Sequence, residues 1–235
     1  MNTALGNPGT LYLVSTPIGN LEDITLRALR VLKEVNLIAA EDTRKTGILL
    51  KNYSISNQLT SYHDFNKEKK AYTLLQSLKS GNSIALVSDA GTPGISDPAF
   101  LMVKLAIQEG IRVESIPGPT AFVSALIISG LPTDKFIFEG FLSPKSGKRK
   151  KRILELSEEK RTLIFYESPH RFLETLEDLL SILGDRKASV ARELTKKFEE
   201  VKRGKLSEIK EYFEAAKIRG EFVLIVEGKR EDGKT

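Results

Sequence analysis

SIALVSDAGTPGISDPAFLMVKLAIQEGIRVESI, residues 83–116, decides the fold. Residues 83–89 centre on the apolar run IALV and read as a buried strand. Gly91 and Gly94 open the turn that follows, while Pro93 and Pro98 stiffen it. Residues 98–110 carry apolar side chains at helical spacing, with proline in the first turn and Gly110 after the last. Residues 111–116, IRVESI, close the unit as a second strand. Strand, turn, helix and strand in that order build a parallel sheet with helices on its faces.

The same alternation extends upstream. LYLVS (11–15) reads as a strand, ITLRALRVLKEV (24–35) as an amphipathic helix and NLIAAED (36–42) as a buried strand. QLTSY (58–62) is a weaker strand, and KEKKAYTLLQSLKSG (67–81) a helix with a glycine stop. PGPT (117–120) interrupts the pattern, and the domain boundary is placed there: residues 1–117 form one α/β domain and 118–235 a second. AFVSALIISG (121–130) reads as a buried helix. Beyond it FIFEGF, RTLIFYE, KASVARE, EEVKRGK and EFVLIVEG read as strands with helices between most of them. Two of these lie close together in 188–204, which predicts a hairpin and a mixed sheet. The expected fold is therefore α/β in two domains, a mostly parallel N-terminal sheet with flanking helices and a mixed C-terminal one. The polar tail after Gly228 is expected to fray.

Composition narrows the function. There is no cysteine, which excludes disulfides and thiolate metal sites, and the two histidines, His63 and His170, cannot form a His-rich metal cluster. No apolar run reaches the roughly 18–20 residues of a membrane span, and the first residues, MNTALGNPG, lack the features of an export signal. A cytoplasmic protein is the expectation. The net charge of +5 matters less than its clustering: KSGKRKKR (145–152) holds six basic residues and no acid. Such a run either forms a solvated helix face or meets phosphates.

Two strand-end turns are candidate ligand sites, VSTPIGNLEDIT (14–25) and VSDAGTPGISDP (87–98), with PGPT as a third on the same predicted sheet edge. Ligands of open α/β sheets sit beyond the carboxyl ends of strands. The bland reading is that all three are only tight turns. Common nucleotide signatures are missing: no G-x-G-x-x-G follows a strand, and Leu142 stands where a P-loop ending on Gly147–Lys148 needs its first glycine. No G-x-S-x-G nucleophile elbow is present either.

LVSTPIGNLEDITLRAL, AAEDTRKT, VSDAGTPGISDP, PGPTA, EGF, GKRKKR, FYESPHR, ARELTKKFEE and GEFV together resemble, in the same order, the ribosomal-RNA-methylating branch of the tetrapyrrole methylase superfamily. The resemblance runs from about Gly9 to Gly228. Porphyrin- and corrin-methylating members usually have a G-x-G-x-G-D-like first turn and a G-G-D-P-like second; STPIGN and SDAGTP stand here instead, which favours the RNA branch. The resemblance implies S-adenosylmethionine as cofactor, held in the cleft between the two domains of a homodimer. It also implies 2′-O-methylation of a decoding-centre cytidine in 16S ribosomal RNA of the small subunit. Carried over by motif, Pro17, Asp89, Ala90, Gly91, Ile95, Thr120, Ala121, Tyr166, Leu194 and Phe222 line the cofactor site. For Ile95, Leu194 and Phe222, plain core packing is the competing reading.

Methyl transfer from a sulfonium is an in-line displacement, so alignment is the larger requirement, worth roughly 7–11 kcal/mol. A general base adds about 10²–10⁴-fold. Glu41 is the proposed base, with Asp23 and Asp42 as alternatives at neighbouring strand ends. Arg44 and Lys45 are placed to hold a phosphate or lower the hydroxyl's proton affinity, although EDTRK also fits a helix start with local ion pairs. His63 is a further titratable candidate, and Arg192 with Glu193 reads as an internal ion pair. RNA contacts are expected from Lys145, Lys148, Arg149, Lys150, Arg152, Arg171, Lys196 and Lys197, Arg171 alternatively pairing with Glu167 or Glu174. Base stacking would need an aromatic beside them; Phe141 and Phe198 are available, with core packing as the reading expected of both. A tetrapyrrole methylase and a non-catalytic RNA-binding module are the rival functions.

Overall fold

The computed structural model describes residues 7–230. The start of MNTALGNPG and the end of the tail after Gly228 lie outside these residues. The chain divides into two compact units, 1–120 and 121–235.

The first unit alternates β1 (Thr10–Val14), α1 (Leu26–Glu34), β2 (Leu37–Ala40), α2 (Thr43–Asn52), β3 (Leu59–Ser61), α3 (Lys67–Lys79), β4 (Ile84–Val87), α4 (Ala99–Gln108) and β5 (Arg112–Ile116). All five strands are parallel, in the order β3-β2-β4-β1-β5. Alternate strand residues point to opposite faces, which explains the two cores. Val14, Ile38, Ala40, Ala85, Val87 and Ile116 pack against α1 and α2. Leu11, Ala39, Ile84 and Leu86 pack against α3 and α4. β4 is buried on both faces, as its continuous IALV run requires. Asp42 caps α2 through its bond from the Arg44 N–H at 2.8 Å, so EDTRK is the helix start the sequence offered as its alternative.

The second unit contains α5 (Ala121–Ile127), β6 (Phe136–Phe141), α6 (Ser146–Glu155), β7 (Thr162–Glu167), α7 (Phe172–Leu183), β8 (Lys187–Arg192), β9 (Glu200–Lys205), α8 (Leu206–Glu214) and β10 (Phe222–Val226). Its sheet is mixed, in the order β6-β7-β10-β8-β9, and β8–β9 is the expected hairpin. α6, α7 and α8 cover one face through Ile153, Leu176, Leu179, Ile209 and Phe213. α5 packs on β7 and β10. No helix among the described residues is long and apolar enough to cross a membrane.

Candidate active site

Because every strand of the first unit runs the same way, all its strand-end turns open on one edge. β1 leads into Ser15–Pro17, β2 into Glu41–Asp42, β4 into Ser88–Gly94 and β5 into Pro117–Thr120. The strand order reverses direction around β4 and β1, which is where open sheets of this kind hold ligands. Thr16 and Gly91 exchange backbone bonds, Thr16 N–H to Gly91 O at 2.9 Å and Gly91 N–H to Thr16 O at 3.0 Å. Gly91 holds this position at φ +83°, which residues with a side chain rarely adopt, and a Cβ added there would lie within contact range of Ile18 and the Pro119 carbonyl. At Gly118 an added Cβ would stand 2.8 Å from Ser15 Cβ, so the β5 turn lies directly on the β1 turn.

A chain of hydroxyls joins the three turns. Thr92 Oγ1 lies 3.0 Å from Ser15 Oγ and 2.7 Å from Thr120 Oγ1. Beside this chain stand the carboxylates. Glu41 accepts the Asp89 N–H at 3.1 Å. Lys45 Nζ donates to Asp89 Oδ2 at 2.6 Å, while Asp89 Oδ1 is buried with no hydrogen-bond partner among the described residues. Burial, together with the negative charges of Asp89 and Asp97, pushes the Glu41 carboxyl above its ordinary range, against the bond from Asp89 N–H. Asp97 is spent on the turn itself, accepting from Gly94 N–H at 2.7 Å and Ala99 N–H at 2.9 Å. Asp23 has one buried carboxylate oxygen without a partner among the described residues. Arg44 closes its guanidinium on Asp42 at 3.0 and 2.7 Å, and the pair holds Asp42 far below the usual carboxylate range. The local ion pair that EDTRK also fits is thus present, on an Arg44 side chain that stays largely exposed. His63 shares contacts with Asn66 and edges onto Phe65, and its Nδ1 is buried without a hydrogen-bond partner among the described residues.

In the second unit β6, β7 and β8 run in one direction and β10 opposes them, so Phe141, Glu167 and Arg192 end at one edge, beside the start of β10. This edge gathers the N-terminus of α6 with Lys145 and Lys148, the turn of Arg171, and the segment of Lys196 and Lys197. Tyr166 stands among Phe122, Phe138 and Phe141, its hydroxyl accepting the Phe122 N–H at 3.3 Å. Burial pushes the pKa of that hydroxyl above the ordinary phenol value. Phe222 is 1% exposed, stacked on Phe172 and edged by Phe213, so its ring is core and not ligand-lining. Leu194 is likewise buried, whereas Ile95 is exposed.

A family model described as Tetrapyrrole (Corrin/Porphyrin) Methylases matches residues 10–210. The chain belongs to the tetrapyrrole methylase family. Among its relatives is the protein named ribosomal RNA small subunit methyltransferase I of Halalkalibacterium halodurans, 56% identical over 95% of this chain and 77% of the relative. The Thermotoga maritima protein of the same name is 49% identical, over 94% of this chain and 99% of its own length. Solved structures with the same fold include cobalt precorrin-4 methyltransferase (TM-score 0.69, 17% identity, 93% and 94% of the two chains). Uroporphyrin-III C-methyltransferase from Thermus thermophilus is another (TM-score 0.67, 21% identity, 93% and 94%).

The basic run of this methylase family member is not uniform. Arg149 is only 2% exposed and donates from Nε to Asp178 at 2.6 Å and from Nη2 to Glu174 at 3.2 Å. It is a buried structural arginine and cannot meet RNA. Arg152 forms a two-point bond with Glu139 and a third with Glu155. Lys150 lies 3.5 Å from Asp178, and Lys196 bridges Glu193 and Glu221. Arg171 pairs with Glu167, the alternative its sequence offered, and also bonds the Leu142 carbonyl. Arg192 pairs with Glu200 rather than Glu193. Lys145, Lys148 and Lys197 are exposed and make no ion pair within the described residues. Lys151 belongs with them; its place in the same run was the signal. Phe141 is 56% and Phe198 68% exposed, so neither ring lies in the core as the sequence suggested.

Proposed function

We propose that this chain transfers a methyl group from S-adenosylmethionine to the ribose 2′-oxygen of a decoding-centre cytidine in small-subunit ribosomal RNA. What supports the reading most is the near-50% identity, over almost the whole chain, to proteins named as small-subunit ribosomal RNA methyltransferases. The donor supplies an electrophilic methyl group on a cationic sulfonium. The first unit's edge suits such a molecule. Asp89 Oδ1 is a buried acceptor that a ligand hydroxyl or amine satisfies, and the Asp89 carboxylate suits a cation. Pro17, Ala90, Gly91, Ile95 and Thr120 share that edge; in the second unit Ala121, Tyr166 and Leu194 are cofactor contacts by resemblance alone, and Phe222, whose ring is core, can contribute only backbone.

Residues of this chain have three tasks. The hydroxyl chain Ser15–Thr92–Thr120 fixes the turns that orient the reactants, the larger share of the rate. Glu41 takes the proton of the ribose hydroxyl; its raised pKa makes it a better base than an exposed carboxylate, with Asp23 second in line. Lys145, Lys148, Lys151 and Lys197 meet RNA phosphates. Cations at the start of α6 oppose the helix dipole, so they serve something other than the helix. By the same resemblance the working form is a homodimer in the cytoplasm.

The test is transfer of labelled methyl groups to isolated small subunits, to deproteinised ribosomal RNA and to a porphyrinogen. Label at the 2′-oxygen of a cytidine is the expected result. Label in the porphyrinogen with none in either RNA sample overturns the reading.

A further inference from the structure

Phe198 presents an apolar ring to solvent from a segment that is held in place. It lies between β8 and β9, where Glu193 and Thr195 adopt positive φ of 52° and 65°. Residues other than glycine keep such a conformation only when their surroundings enforce it. Lys196 Nζ bridges Glu193 and Glu221 at 2.9 Å each, the Thr195 N–H donates to the Glu199 carboxylate at 2.6 Å, and Glu193 N–H donates to the Glu221 carbonyl at 3.0 Å. Arg192 and Glu200 close the strand ends at 3.1 Å. These bonds occupy the acids of the turn and leave Lys197 and Phe198 facing outward, the lysine Nζ 5.7 Å from the ring centroid.

We propose that Phe198 is a stacking platform for an unpaired base of the RNA substrate, with Lys197 meeting an adjoining phosphate. The inference rests on the RNA methyltransferase reading. An exposed ring beside a lysine that makes no ion pair within the described residues matches a base joined to its phosphate, because every base offers a π face and every nucleotide a charge. The sheet edge adds the same chemistry at the start of α6, through Lys145 and Lys148. A protein partner would instead need neighbouring apolar surface, and the residues flanking Phe198 are Lys197 and Glu199.

The experiment compares Phe198→Ala, Phe198→Trp and Lys197→Gln in the full chain. The probes are a short single-stranded oligoribonucleotide and a ribose-phosphate strand of equal length without bases. Phe198→Ala is expected to weaken binding of the first probe roughly 5- to 150-fold and to leave the second unchanged. Phe198→Trp restores it, and Lys197→Gln weakens both probes and flattens the salt dependence. Equal binding of both probes by Phe198→Ala and parent overturns the proposal, as does a change in oligomeric state with RNA binding intact. A parent enzyme that methylates RNA beside an unaffected Phe198→Ala variant sinks the platform alone. A parent that methylates no RNA sinks the reading beneath it.

Discussion

The two sheet edges of this chain are built from different chemistry. The edge of the first unit is made of backbone turns tied by hydroxyls, with three carboxylates and the ion-paired Lys45 among them. The edge of the second is made of lysines and aromatics, several of them exposed. A set of closely held acceptors suits a small cationic donor; spaced cations and open rings suit a polyanion. The contrast supports the proposed division, in which the first edge supplies most donor contacts and the second the phosphate contacts, and each part of it breaks under a different substitution.

Glu41→Gln carries the largest expected effect. Glutamine keeps an oxygen to accept the Asp89 N–H but cannot take a proton, so methyl transfer falls by about 10²–10⁴-fold. Donor affinity, measured by calorimetry, stays near the parent value. Stability moves the other way. The folded state raises the Glu41 pKa, so the carboxyl's favourable contribution exists below about 4.5 and is lost as pH rises through the folded value. The Tm of the variant therefore matches the parent in acid and exceeds it at neutral pH. Unchanged turnover removes Glu41 from the chemistry.

Arg149→Ala ranks next and probes how charge is sorted on the second edge. It strands Asp178 and costs about 3 kcal/mol of stability, the low end of the roughly 3–5 expected for a broken buried pair because Lys150 remains nearby. Chemical denaturation reads the loss; the salt dependence of RNA binding does not move. Thr92→Val is smaller and belongs to the first edge. It leaves Ser15 and Thr120 without their shared partner and weakens donor binding about tenfold, near 1.4 kcal/mol, while Thr92→Ser restores it. A weaker donor affinity in the Arg149 variant at full stability would blur the two edges together.

The sequence displays the fold because its signals are local. IALV, the helical spacing after Pro98 and the closely spaced strands of 188–204 each need only a short window. The site depends on pairs far apart in the chain: Ser15 meets Thr92 and Glu41 meets Asp89, and no periodicity announces either. Arg149 was partly readable. It sits four residues before Ile153 and seven before Leu156, both buried, and so on the inner stripe of α6. Counting cations hid that spacing. Phe198 misled in the opposite way, since an aromatic in a mixed run suggests core until the turn that carries it is known.

The smallest effect separates the edges most cleanly. Lys145, Lys148 and Lys151 are exposed and without an ion pair within the described residues, so replacing one leaves the packing of the fold as it is. Each phosphate that a cation no longer neutralises lowers the slope of log affinity against log salt by about 0.7 for single strands and 0.9 for duplex. Lys148→Ala should lower it by about that amount at a few-fold cost in RNA affinity. The triple alanine variant should lower it by roughly two to three, with donor affinity unmoved. If the slope holds while donor affinity falls, the basic edge serves the donor and the contrast between the two edges collapses.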